Sequence, residues 1–206
     1  MRDSNHKEER AFLFSDLHAQ RSLLPSLKKE IKKSSPSLLI FAGDFLNAGQ
    51  PFSFAEEFHN FIVDMDTPFC WVTGNNDIGE AAGWFLKKHP TLEEEGCGFG
   101  EFDVVGVNYA GSIIPKNDIT GNILVSHVPP PGYRTYSTKL SPHDTFSRTP
   151  GSFSLAPVIH ICGHLHNQTG VAMLGKTKII KMGSVASGNY ALLDSDSMSV
   201  NFFKLK

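Results

Sequence analysis

The chain has 206 residues, 40% of them hydrophobic and 19% charged, a balance that fits a globular protein and excludes a disordered or low-complexity polymer. Its 19 Lys and Arg against 21 Asp and Glu leave a formal charge of -2, which supplies no overall attraction to phosphate backbones or anionic lipid, so nucleic acid is not an expected partner. The longest apolar stretch, Leu38 to Ala42, falls far short of the roughly 20 residues that cross a bilayer. The charged segment Met1 to Arg10 precedes only four apolar residues, so no export signal is expected. Cys70, Cys97 and Cys162 are odd in number and widely spaced, which argues against a disulfide framework and for buried packing residues in a reducing, cytoplasmic compartment.

Neither repeat nor Ser/Gly linker divides residues 1–206, and one domain is expected. Ala11 to Phe14 reads as a short buried strand. A helix follows, with Leu23, Leu24, Leu27 and Ile31 at three-to-four spacing and Lys28, Lys29, Lys32 and Lys33 facing outward as a solvated surface. Leu38 to Ala42 is a second strand, Phe54, Phe58, Phe61 and Ile62 mark a second helix, and Pro68 to Thr73 is a third strand. From about Phe102 strands dominate, at Phe102 to Tyr109, Asn122 to Ser126, Val158 to Cys162, Thr177 to Met182 and Tyr190 to Leu193, with a terminal hairpin turning at Asp194 to Ser197. The class is α/β. The segment Pro129 to Pro157 carries six Pro and little periodicity, as a functional lid would.

Polar residues of unusual kinds fall where these strands end. Asp16-Leu17-His18 follows the first strand, Gly43-Asp44 the second and Gly74-Asn75-Asn76-Asp77 the third, while Ser126-His127 and Gly163-His164-Leu165-His166 follow two later ones. Taken singly, each has a plain structural reading as a turn, a helix cap or a packed histidine. Ligands bind outside the carboxyl ends of strands in open α/β sheets, so the five motifs aim at one cavity. His164 and His166, at i and i+2 of an extended segment, would project to one side. Together Asp16, His18, Asp44, Asn75, His127, His164 and His166 offer seven O and N donors, too many for one tetrahedral ion and suited to two ions sharing a carboxylate.

The order of these motifs, Asp-x-His, Gly-Asp, Gly-Asn-x-Asp, a lone His and Gly-His-x-His, resembles the calcineurin-like metallophosphoesterase superfamily over Asp16 to His166. The resemblance implies a β-sandwich of two mixed sheets flanked by helices. It also implies that Asp16, His18 and His166 hold one metal, Asn75, His127 and His164 the other, and that Asp44 bridges them. One departure stands out. Many members have His after the motif Asn and use it to protonate the leaving oxygen; this chain has Asn76, as in the small prokaryotic phosphodiesterase branch. Asn can donate a hydrogen bond to a phosphoryl oxygen but cannot transfer a proton near neutral pH.

The implied activity is phosphoester hydrolysis by a metal-bridging hydroxide on a small-molecule substrate, with phosphodiesters carrying good leaving groups favoured over monoesters. Asp44, Asn76 and, as a substitute acid, His143 are the candidate catalytic residues, and Arg134 and Arg148 are candidate phosphate binders. The mixed donor set suits Mn²⁺ first, or Fe, Zn²⁺, Co²⁺ or Ni²⁺. The alternatives are a phosphomonoesterase and a non-catalytic scaffold on the same fold, like the retromer subunit.

Overall fold

A computed structural model describes residues 9–49, 51–107, 119–130 and 157–206. Candidates His143, Arg134 and Arg148, and most of the 129–157 segment, lie outside these residues. The described chain runs β1 (Arg10–Phe14), α1 (Leu24–Ser34), β2 (Leu38–Phe41), α2 (Phe52–Met65), β3 (Phe69–Trp71), α3 (Glu80–Leu86), β4 (Cys97–Phe99), β5 (Phe102–Val107), β6 (Ile123–Ser126), β7 (Ile159–Cys162), β8 (Gly170–Leu174), β9 (Thr177–Lys181), β10 (Asn189–Asp194) and β11 (Val200–Lys204).

Two mixed sheets result, ordered β11-β10-β1-β2-β3 and β4-β5-β6-β7-β9-β8. In the first, β1, β2 and β3 are parallel and β10 is antiparallel to β1. In the second, β5, β6, β7 and β9 are parallel, with β4 and β8 antiparallel at the edges. The period-2 alternation of β1 sorts its side chains between two cores. Phe12 and Phe14 join Phe41, Phe54, Phe58 and Phe85 beneath the helices, while Ala11 and Leu13 join Ile40, Val125, Ile161 and Ile180 between the sheets. Most of the buried aromatic rings lie in the helix-sheet layer, and the layer between the sheets is mainly aliphatic, with Phe99 among it.

The periodicity of α1 and α2 places both helices correctly, and left-handed residues end them, Ser35 at φ 45° and Asp66 at φ 49°. Lys28 pairs with Asp64 of α2, so the lysine face is partly an ion-paired one. Three elements escape the sequence reading: α3 spans only seven residues, and β4 and β8 are short edge strands containing Gly98 and Gly170. The expectation for the cysteines is corrected. Cys70 and Cys97 form a disulfide joining edge strands β3 and β4 of the two sheets, and Cys162 alone is free and buried. Counting cysteines could not foresee that two sheet edges meet, and the pairing removes the count as an argument for a reducing compartment. Among the described residues no helix is long and apolar enough to cross a membrane.

Between the central strands of the second sheet, His160 of β7 is buried with Nε2 2.6 Å from Ser126 Oγ of β6. Burial pushes its pKa down to about 3 from 6.5. An unfolded chain takes up a proton near pH 6.5 that the folded chain refuses until about pH 3, so stability is complete above pH 6.5 and falls as pH drops through that window. Denaturant titrations at pH 7 and 5 should show the wild type losing on the order of 2 kcal/mol more than His160→Asn between the two values.

Candidate metal centre

All seven predicted ligands gather at the carboxyl ends of the strands. Asp16 and His18 follow β1, Asp44 follows β2, Asn75 follows β3, His127 follows β6, and His164 and His166 follow β7. Four of them hold positive φ: Asp16 at 57°, His18 at 50°, Asp44 at 62° and His164 at 65°. Each such residue carries strain of order 1 kcal/mol or more, which persists only where neighbouring contacts enforce it. Asp16 N donates to the Gly43 carbonyl (2.9 Å), and Leu17 and His18 N both donate to the Asp44 carbonyl (2.9 and 3.1 Å). Ser184 Oγ donates to the Asp16 carbonyl (2.8 Å).

The side chains form two connected groups. In one, His166 Nε2 lies 3.2 Å and His18 Nε2 3.8 Å from Asp16 Oδ1, with the two imidazole nitrogens 2.9 Å apart. In the other, Asn75 Oδ1 lies 3.1 Å from both His127 Nε2 and His164 Nδ1. Asp44 Oδ2 stands between them, 3.7 Å from His18 and 3.4 Å from His127. Donor atoms of Asp16, His18 and His166, and of Asp16, Asp44 and His127, lie within 4.8 Å of one another. The reason given for pairing His164 with His166 is corrected. The segment is not extended: the left-handed His164 turns the chain, its N–H donates to Asp16 Oδ2 (3.1 Å), and the two imidazoles enter different groups.

Supporting residues that motif reading passed over aim these donors. The Asn47 amide accepts from His18 Nδ1–H (2.9 Å) while its Nδ2 donates to the His18 carbonyl (3.0 Å). His127 Nδ1 donates to the Ala42 carbonyl (2.7 Å). Both bonds occupy Nδ1, so Nε2 of each ring is the nitrogen turned to the cluster and the one that a cation would take once its proton is displaced. Asp77 is buried and accepts from the N–H groups of Asp44 (2.8 Å), Leu46 (3.1 Å) and Gly74 (2.8 Å), tying the second loop to the third. Its place in the Gly-Asn-x-Asp motif was the only signal in the sequence. Asn76 gives both backbone N–H and side-chain Nδ2 to the Asp44 carboxylate (2.8 and 2.7 Å).

Burial would raise the Asp16 carboxyl, but His166, His18 and the charge on His127 hold it well below the usual carboxylate range. Burial also raises Asp44, and His127 and Asn76 more than compensate, leaving it below its ordinary value. Burial works to lower His127, yet Asp44 and Asp16 lift it to about 9. His18 is likewise raised against burial, by Asp16 and Asp44. Burial and the charge of Asp44 push Asp77 up to about 6. Ionised carboxylates balanced by protons on imidazoles form a charge pattern that divalent cations can take over. Asp16 Oδ1 is buried and meets His166 and His18 Nε2 as ion-pair neighbours at 3.2 and 3.8 Å without a well-aligned hydrogen bond, a poorly satisfied oxygen that such a cation would serve. The residues fit a metal.

Close approach requires glycine at two loops. A Cβ on Gly163 would lie 1.9 Å from Ser15 Oγ and 2.7 Å from Asp16 Oδ2, and one on Gly74 2.1 Å from Asp44 Oδ1. Gly163→Ala should therefore lower the unfolding free energy measured in urea by the roughly 1–3 kcal/mol typical of overpacking. Isothermal titration should show weaker metal binding as Asp16 is displaced.

The sequence model of the calcineurin-like phosphoesterases matches residues 10–168, and the chain belongs to that family. The family hydrolyses phosphoesters with two metal ions. A crystal structure from Thermus thermophilus shares the fold at TM-score 0.68 with 14% identity, covering 97% of this chain and 100% of its own. An archaeal phosphodiesterase superposes at 0.59 with 12% identity (95% and 99% covered), and the Escherichia coli phosphoesterase YfcE at 0.55 with 15% identity (96% and 100% covered). No curated protein matches the sequence.

Proposed function

We propose that residues 1–206 form one phosphodiesterase domain acting on small-molecule substrates, with Asp16, His18 and His166 at one metal, Asn75, His127 and His164 at the other, and Asp44 between them. The observation that carries the diester preference is Asn76, both of whose donors engage Asp44 where a proton-donating histidine stands in many relatives. Bound there, two divalent ions, Mn²⁺ first, would supply an activated water and neutralise phosphoryl oxygens. The chain's own residues do the rest. Asp77 and Asn76 hold Asp44 in place, Asn47 and Ala42 fix the tautomers of His18 and His127, and Asn76 contributes hydrogen bonding without proton transfer. Leaving groups must then depart without an acid from this position, which favours aryl diesters and forfeits the roughly 10² to 10⁴ that general acid catalysis supplies to alkyl ones. A structural neighbour described as an archaeal phosphodiesterase accords with this choice.

The decisive assay compares bis(p-nitrophenyl) phosphate with p-nitrophenyl phosphate in Mn²⁺. Faster turnover of the diester is expected; faster turnover of the monoester overturns the preference. A parallel melting curve tests the scaffold alternative. Mn²⁺ at about 100 times its dissociation constant adds roughly 2.7 kcal/mol to the folded state and should raise the midpoint by several degrees. An unchanged midpoint at saturating metal favours the scaffold.

A further inference from the structure

Ser15 stands between the end of β1 and the first ligand and has no part in any motif, yet its hydroxyl lies against the Asp16 carboxylate. Both residues are fully buried. Ser15 Oγ is 2.5 Å from Asp16 Oδ2, 3.1 Å from the Ala42 carbonyl oxygen and 3.5 Å from that of Gly43. A hydroxyl has one proton to give. The Ala42 carbonyl already receives His127 Nδ1–H (2.7 Å) and the Gly43 carbonyl the Asp16 N–H (2.9 Å), so the proton goes to the nearest and charged acceptor, Asp16 Oδ2. The His164 N–H donates to the same oxygen (3.1 Å). The two carboxylate oxygens of Asp16 are therefore unlike. Oδ2 accepts twice from the protein, while Oδ1 faces His166 and His18 Nε2 at 3.2 and 3.8 Å.

We infer that Ser15 is a positioning residue that sets metal selectivity in the Asp16, His18 and His166 group by confining Asp16 to coordination through Oδ1 alone. The inference rests on the assignment of that group as a metal site under the proposed function. A carboxylate whose second oxygen is engaged by a hydroxyl and a backbone N–H has one oxygen left for a cation. Mn²⁺ and the later first-row ions accept nitrogen donors and are served by one such oxygen beside two imidazoles. Ca²⁺ gathers roughly six to eight oxygens at about 2.3–2.6 Å and takes carboxylates through one or both oxygens, so each oxygen withheld counts against it. The surroundings hold the hydroxyl in place. A Cβ on Gly163 would lie 1.9 Å from Ser15 Oγ, so the loop that carries His164 closes directly over it. Without the hydroxyl, Oδ2 keeps only the longer of its two bonds, and the carboxylate can turn both oxygens toward the cation.

Displacement of Mn²⁺ by Ca²⁺ from the full chain tests the inference, with free Mn²⁺ counted by electron paramagnetic resonance. His166→Ala should bind one Mn²⁺ fewer than wild type, which marks the ion held by this group. Ser15→Ala should bind that ion about tenfold more weakly, as loss of outer support around a metal ligand typically does, while Ca²⁺ binds at least as tightly as before. The Ca²⁺ concentration that displaces half of that Mn²⁺ should therefore fall about tenfold. A hydroxyl that only stabilises the fold would weaken both ions by one factor and leave that concentration unchanged. An equal Ca²⁺ requirement in wild type and Ser15→Ala, or no displacement in either, overturns the role of Ser15. If circular dichroism shows Ser15→Ala unfolded, Ser15→Gly also removes the hydroxyl and gives the same readout. A folded His166→Ala that binds as many Mn²⁺ ions as wild type overturns the metal assignment itself, and the role of Ser15 with it.

Discussion

Asp44→Asn is expected to lower kcat/KM by roughly 10³, the several kcal/mol of charge stabilisation that a metal centre supplies, and to reduce bound metal in elemental analysis from two ions per chain to one or none. The change is nearly isosteric, yet two effects compound. The Asp44 Oδ2 atom, within 3.7 Å of His18 and 3.4 Å of His127, loses the charge that favours cations on both sides. Asn76 also directs one donor at each carboxylate oxygen, so whichever way the new amide turns, an NH₂ group meets an N–H. Activity and metal content equal to wild type in a folded Asp44→Asn protein would remove Asp44 from the centre.

Asp77→Ala is expected to destabilise the protein by several kcal/mol, because three N–H groups, those of Asp44, Leu46 and Gly74, lose their acceptor and each unpaired buried donor costs about 1–3 kcal/mol. Against a typical total of about 5–15 kcal/mol, such a loss threatens folding at ordinary temperature. Asp77→Asn separates positioning from folding. Its carbonyl oxygen can serve some of the three donors, so it should fold with a lowered midpoint and bind Mn²⁺ about 10–100-fold more weakly, as removal of outer support around metal ligands typically does. Mn²⁺ affinity equal to wild type in that variant would confine Asp77 to a structural role.

Legibility of the centre depended on how local each cue was. The seven donors could be picked out because each closes a short strand, and burial of apolar runs such as Phe12 to Phe14 and Leu39 to Phe41 is written in consecutive residues. Asp77 was legible only as the tail of a motif, since its partners Asp44 and Leu46 lie 33 and 31 residues away. The support that Asn47 gives to His18 has no periodicity to betray it. His164 and His166 show the limit most plainly: their spacing predicts one shared side, but an Asp16 carboxylate 148 residues distant receives the His164 N–H and rotates the chain between them.

Composition and hydrophobic period were sufficient for the α/β class, for α1 and α2, and for the kinds of donor atom at the strand ends, because side-chain period and residue chemistry are properties of neighbours along the chain. Which way the chain turns at His164, which cysteines pair across two sheet edges, and which backbone amides Asp77 gathers depend on contacts between segments far apart in the chain. Only packing of the two sheets into one assembly brings those segments within a few ångström, so those answers exist nowhere but in the folded molecule.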